Sequence, residues 1–287
     1  MNRRSFDLHQ PEERTTSAIF ASPHSGRDYP WSFMRRSVLD ERTIRSSEDA
    51  FIDQIFGHAT QCGAPLLAAR APRAYVDLNR APDELDPALI EDVARQGHNP
   101  RVGSGLGVIP RVVSNGRAIY RGKIARGEAE ERLAEVWHPY HDCLAQLLAE
   151  SCEMFGQAVL IDCHSMPHEA IENFAQAGLP RPEVVLGDRF GASAAPSVME
   201  AVESAFRGAG LRVSRNAPFA GAYVAQYYGR PSRGQHVIQV EIDRSLYMNE
   251  QMIRPNTNFG AFRKLMTEVV AEIAGLGRAR PERLAAE

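Results

Sequence analysis

Short apolar runs rich in β-branched and aliphatic residues recur along the chain at Ala18–Ala21, Pro65–Ala68, Tyr75–Leu78, Val159–Cys163, Val184–Leu186 and His236–Ile242. Each is bounded by turn-forming or polar residues, and runs of this length read as buried strands. Between them, apolar positions fall at helical spacing. Phe51, Ile52, Ile55, Phe56 and Ala59 form one stripe ending at Cys62-Gly63, where glycine can take the left-handed conformation that closes a helix. A longer stripe of Leu133, Val136, Trp137, Tyr140, Leu144, Leu147 and Leu148 runs through Glu128–Phe155, and Pro139 is expected to kink or divide it. Val198, Val202 and Phe206 follow Pro196, which a first helical turn tolerates, with Gly208 and Gly210 as a stop. Phe262, Leu265, Met266, Val269, Val270 and Ile273 mark a last helix, and 278–287, beyond Gly277, reads as a frayed tail.

Strands alternating with helices of this length predict an α/β fold with a mostly parallel or mixed sheet and helices on both faces. A chain of 287 residues can close around one large core, so one domain spanning 1–287 is expected. Ala81 to Gly122 departs from the pattern. It is rich in Pro, Gly, Asn and Arg, has little periodicity and exceeds the usual length of a connection, which marks it as a functional excursion.

Composition changes this picture little: 44% apolar and 24% charged residues are ordinary for a soluble protein and exclude a disordered or fibrous class. The formal charge, 33 − 36 = −3, gives no pull towards phosphate backbones or anionic lipid, so neither nucleic acid nor membrane is an expected partner. No window approaches the roughly 20 apolar residues that cross a bilayer. Met1 to Gln10 lacks the apolar core of a signal peptide, and a cytoplasmic location is expected. Cys62, Cys143, Cys152 and Cys163 form no CxxC pair and sit among apolar residues, which reads as reduced, partly buried thiols.

Open α/β sheets bind ligands at the carboxyl ends of their strands. His24 follows the first run in SPHSG; Asp162 and His164 finish another in LIDCHSMP; Glu241 and Asp243 finish HVIQVEID. Two histidines and an acid on one sheet edge suit Zn²⁺, whose catalytic sites keep three protein ligands and a water. A lone strand-end histidine is more often structural. The shared position of His24 and His164, and their turn neighbours Ser25-Gly26 and Ser165-Met166-Pro167, set this pair apart. His138 and His141, at i and i+3, read instead as a helical surface pair. For a third ligand, Asp49 and Glu48 are nearest in sequence, yet Ser46-x-x-Asp49 also reads as a capping-box variant, and the residues alone favour the cap. In RAPRAYVDLNR, Arg73, Asp77, Asn79 and Arg80 cluster, and the Arg80 guanidinium beside Asn79 suits a substrate carboxylate. Arg121 in IYRGKI is a similar candidate, next to Gly122, which permits close backbone approach. NAPFAGAYVAQYYGRP reads either as a substrate-covering loop or as a packed surface loop. GxSxG, GxGxxG, P-loop and HExxH patterns are absent from the sequence.

Taken in order, SPHSG, SEDAFIDQIF, RAYVDLNR, IYRGKI, HPYHD, LIDCHSMP, PFAGAYVAQYYGRP and VIQVEIDRSLYM resemble the N-formylglutamate amidohydrolase (deformylase) family from about Ser22 to near Ile273. Each motif alone is weak, and their order and spacing make the resemblance specific. It implies a single three-layer α/β/α domain with a mixed central sheet, similar to zinc carboxypeptidases (phosphorylase/hydrolase-like). It also implies one zinc ion held by His24, Asp49 and His164, with Glu48 as the alternative third ligand. Glu241 becomes the general base, and Asn79, Arg80 and Arg121 become the residues that hold substrate carboxylates. The implied reaction is hydrolysis of N-formyl-L-glutamate to formate and glutamate, as in histidine degradation. Alternatives are deacylation of another N-acyl amino acid, carboxypeptidase-like cleavage, or a non-enzymatic, metal-stabilised amino-acid-binding protein. One departure is visible: Gly221-Ala222-Tyr223 stands where the family commonly has Gly-Gly-Tyr, and the added methyl bears on the acyl group accepted.

Overall fold

The computed structural model of the chain describes residues 5–94, 99–172, 174, 178 and 180–278, so the tail expected at 278–287 lies, apart from Arg278, outside the described residues. Seven strands form the main sheet: β1 (Phe6–His9), β2 (Ala18–Ser22), β3 (Leu66–Ala69), β4 (Ala158–Met166), β5 (Val184–Gly187), β6 (Val213–Arg215) and β7 (Gln235–Asp243). Their spatial order is β1-β3-β2-β4-β7-β5-β6. Neighbours from β3 through β2 and β4 to β7 run parallel, whereas β1 and β5 are antiparallel to the strands they join, giving the mixed sheet expected. The carboxyl ends of β2, β4 and β7 therefore emerge together on one edge.

Alternation along these strands divides the interior into two layers of packing. Ala18, Phe20, Val159, Ile161, Cys163, Ile238, Val240 and Ile242 face a core shared with the helices Pro196–Gly208 and Phe259–Leu276. Ile19, Ala21, Leu160 and Val237 face the opposite core, shared with the helix His138–Phe155. Helices thus cover both faces, as a sheet buried on both sides requires. On the second face the pattern turns polar towards the carboxyl end: Leu160 is followed by Asp162 and His164, and Val237 by Gln239 and Glu241.

Several expectations are corrected. Tyr75–Leu78 is a turn and not a strand, because Tyr75 N and Val76 N both donate to Pro72 O and Asp77 N donates to Val108 O. The stripe at 51–59 splits into one α-turn, Ile52–Ile55, and a 3₁₀ segment, Gly57–Cys62, that ends at a left-handed Gly63. Pro139 divides nothing. Arg126–Arg132, a π-helical turn Leu133–Trp137 and His138–Phe155 follow without interruption, and the wider turn absorbs the missing N–H and the clash that proline brings. The strands β1 and β6 carried too short a pattern to be predicted; both are edge strands that are only half-buried over most of their length. Among its described residues the excursion 81–122 has little regular structure beyond a helical turn at Pro100–Gly103 and a 3₁₀ turn at Ser114–Gly116, yet Leu89, Ile90, Val108, Ile109 and Ile119 anchor it in the second core. No helix among the described residues is long and apolar enough to cross a membrane.

Candidate metal centre

The loop after β2 brings His24 back over the sheet edge, and the close turn there depends on Gly26, where an added Cβ would lie 2.0 Å from Ala71 O. His164 arrives from β4, two residues beyond Asp162 and so on the same face. Asp49 is fixed by its own backbone, whose N–H donates to His24 O at 3.0 Å. The three side chains converge. His164 Nδ1 lies 3.1 Å from His24 Nδ1 and 3.0 Å from Asp49 Oδ2, and His24 Nδ1 lies 3.3 Å from the same oxygen.

Such a triangle of buried donors fits a metal ion. Tetrahedral zinc with nitrogen ligands at about 2.0–2.1 Å asks for donor spacings of roughly 3.4 Å, close to those found. The outer nitrogens agree: His24 Nε2 donates to Asp77 Oδ1 at 2.7 Å and His164 Nε2 to Asp162 Oδ2 at 3.0 Å. Each Nδ1 is thereby turned towards the centre, where its lone pair could serve a cation in the carboxylate–histidine–metal arrangement. Asp49 is held from behind as well, its Oδ1 accepting from Arg244 Nη2 at 3.0 Å and Ser165 Oγ at 3.1 Å, which leaves Oδ2 to face the histidines.

Charge follows geometry. Burial alone would raise the Asp49 carboxyl, but hydrogen bonds from His164 and His24 hold it well below the usual carboxylate range. Against the same burial, the charges of Arg73 and His24 hold Asp77 low, and Asp162 and Asp49 hold His164 well above the ordinary imidazole range. Glu241 differs. It pairs with His164 in the β4–β7 register, and burial pushes its carboxyl up to about 7, while a charged His164 pulls it down and Asp49 adds to the rise. Gln239 Nε2 donates to Glu241 Oε1 at 2.8 Å and leaves the other oxygen free of protein donors among the described residues.

All four groups line one cavity of about 600 Å³, together with Arg73, Asn79, Arg80, Arg101 and Arg244. Asn79 is woven into the centre: its Nδ2 donates to Asp162 Oδ2 at 3.2 Å and its Oδ1 accepts from Val224 N at 2.8 Å. Pro218–Ala222 closes another side of the cavity. Gly221 has φ +105°, which demands glycine, whereas Ala222 at φ −108° lies outside the left-handed region that favours it.

Some expected residues lie elsewhere. Glu48 is turned away, its carboxylate taken by Tyr29 Oη at 2.6 Å and by Arg45 at 3.0 Å. Ser46 does not form the capping box; its buried Oγ has no partner among the described residues, and Asp49 points at the histidines. Arg121 is exposed and outside the cavity, because its neighbour Tyr120 is drawn into the core against Arg132. Nor does Gly122 allow a close approach, since an added Cβ there would meet nothing within 4 Å. His141 is no surface residue either: it is buried, donates from Nε2 to Leu78 O at 2.9 Å and accepts from Tyr228 Oη at 3.0 Å.

Residues 16–248 match the sequence family described as N-formylglutamate amidohydrolase. The chain belongs to that family. It is 33% identical over 237 residues to the N-formylglutamate deformylase of Pseudomonas aeruginosa, covering 81% of this chain and 82% of that one. The deformylase of Pseudomonas putida is 29% identical over 235 residues, with the same coverage of 81% and 82%. A crystal structure of N-formylglutamate amidohydrolase from Ralstonia eutropha JMP134 superposes with a TM-score of 0.87 at 30% identity, covering 96% of this chain and 99% of that one.

Within this family member, sequence reasoning passed over Gln239, Arg101 and Arg244. Gln239 carried a signal, since it sits two residues before Glu241 on one strand, as Asp162 does before His164, and pairs with Asp162 in register. Arg244 lies past the strand end and Arg101 lies in the aperiodic excursion, where no spacing pointed to them.

Proposed function

We propose that the chain hydrolyses N-formyl-L-glutamate to L-glutamate and formate with one divalent cation, zinc by its donor set, held by His24, Asp49 and His164. The observation that carries this reading is the convergence of those three donors beside Glu241 in an arginine-lined cavity. Family membership and the named activity of the Pseudomonas relatives support the substrate. When bound, the cation supplies the Lewis acidity that amide hydrolysis at neutral pH requires.

The chain's own residues do the rest. Glu241, with a carboxyl poised near neutrality, takes the proton of the attacking water and returns it to the leaving nitrogen. Arg80 and Asn79 hold a substrate carboxylate so that the amide lies over the strand ends. The same reading treats 1–287 as one domain working in the cytoplasm on a small molecule, in keeping with four cysteines that remain unpaired.

Formate release from N-formyl-L-glutamate, measured before chelation, after it and after zinc is restored, tests the proposal. Loss on chelation and recovery with zinc are expected. Release that survives complete metal removal overturns the role of the cation, and no release from fully metal-loaded protein overturns the substrate.

A further inference from the structure

Two cationic side chains of the cavity have no ion-pair partner among the described residues. Arg80 is buried and fixed, with Nε donating to Leu106 O at 3.0 Å and Nη1 to Asn79 O at 2.8 Å, but its Nη2 has no acceptor among the described residues. Arg101 lines the same cavity nearer to solvent, and among the described residues its guanidinium has neither hydrogen-bond nor ion-pair partner. The acids around them are engaged: Asp77 with His24 and Arg73, and Glu84 with Ala81 N and the Asn99 side chain.

Backbone ties show that this pair is built. Leu106 joins the two arginines, because its C=O accepts from Arg80 Nε while its N–H donates to Arg101 O at 2.8 Å. Asn99 caps the turn that carries Arg101, accepting from Arg101 N at 3.0 Å and Val102 N at 3.3 Å. Arg111 clamps the other end, reaching Gly103 O at 3.3 Å and Asp86 Oδ2 at 2.8 Å. Two like charges held this way on one wall call for an anionic ligand with two negative groups.

We infer that Arg101 is the specificity-determining residue that binds the side-chain carboxylate of the substrate, while Arg80, deeper and next to Asn79, binds the α-carboxylate. Three carbons separate the two carboxylates of a glutamyl group, so a substrate whose amide lies at His24, His164 and Glu241 reaches inward to Arg80 and outward to Arg101. The position first expected of Arg121 is filled by a residue twenty places earlier in the excursion. This assignment rests on the proposed function for its substrate, and its own content is the choice of acidic over neutral amino acids.

The test compares Arg101→Gln and Arg101→Lys with the wild type on N-formyl-L-glutamate and N-formyl-L-glutamine, and by calorimetry on L-glutamate and L-glutamine, all with metal-loaded protein. For Arg101→Gln, KM for N-formyl-L-glutamate rises about 10- to 100-fold, the loss expected for a charge-assisted contact. Its kcat and its kcat/KM on N-formyl-L-glutamine stay near wild type, and Arg101→Lys falls between. Equal losses on both substrates, or none on either, overturn the assignment. Should the wild type release no formate, the binding arm decides alone. A preference for L-glutamate over L-glutamine that disappears in Arg101→Gln upholds the inference while the proposed reaction fails. No preference in the wild type, or one that survives the substitution, overturns it.

Discussion

The two walls of the cavity are built on different principles. On the strand-end wall, His24, Asp49, His164 and Glu241 stand on or beside β2, β4 and β7, and charged partners lock them: Asp77, Asp162 and Arg244 each lie within 3.0 Å of a member of the triad. On the arginine wall, Arg80 and Arg101 are carried by a turn and an excursion and are held through neutral groups, among them Leu106, Asn79 O and Trp137 Nε1, which donates to Arg80 O at 3.0 Å. Reacting groups must keep their geometry within a fraction of an ångström, and regular elements provide that. Groups that choose a substrate can sit on loops, where insertion and substitution change the choice without disturbing the chemistry. The walls should therefore fail differently.

Breaking the strand-end wall gives the largest effect. Glu241→Gln keeps the shape and the hydrogen-bonding reach of the side chain but cannot accept a proton. Turnover is expected to fall about 10²- to 10⁴-fold, the range for a lost general base, with metal content and KM near wild type. Elemental analysis beside steady-state kinetics checks this, and a wild-type kcat removes Glu241 from the role. Next in size is Asp77→Asn, which exchanges the carboxylate that orients His24 for an amide. Metal affinity is expected to weaken about 10- to 100-fold, as when a metal-bound histidine loses its carboxylate partner. Competition with a chelator measures it, and an unchanged affinity shows that the charge of Asp77 serves Arg73 and not the centre.

The same contrast explains what could be read from the chain. His24, His164 and Glu241 were legible because each ends or follows an apolar run that reads as a buried strand, and open α/β sheets gather ligand-binding residues at those ends. Five of the six expected strands stand, and the main helices stand with them. Asp49 was obscured. Its spacing from Ser46 satisfies a capping pattern locally, but a buried carboxylate takes the cationic and imidazole partners that tertiary contact offers, and those lie 115 and 195 residues away. Glu48 was equally eligible in sequence, and its carboxylate is taken instead by Tyr29 and Arg45. Arg101 and Arg121 look alike in the chain, each beside turn-forming residues; only the path of the excursion decides which faces the cavity, and an aperiodic segment carries no record of its facing.

The support of the arginine wall gives the smallest effect and a different kind of response, to pH. His141 lies under that wall, stacked on Trp137 with ring centroids 3.9 Å apart and bonded to Leu78 O, one residue before Asn79. It is neutral there: burial lowers its imidazole from the ordinary 6.5 to about 4, although the bond to Leu78 O pulls the other way. Between those two values the unfolded chain binds a proton that the folded chain does not, so stability is whole above about 6.5 and falls as pH drops towards 4. At pH 5 the loss relative to pH 7 is roughly 2 kcal/mol, at about 1.4 kcal/mol for each pH unit. His141→Gln removes the titrating group while keeping an N–H able to reach Leu78 O, so its stability should stay flatter by that amount over the same range, from a lower starting value. Urea midpoints at pH 7, 6 and 5 for both proteins measure the difference, and parallel declines would show that acid acts elsewhere in the fold. A decline that is present in the wild type and absent from His141→Gln would place the acid-sensitive support under the arginine wall and leave the charge-locked wall out of it.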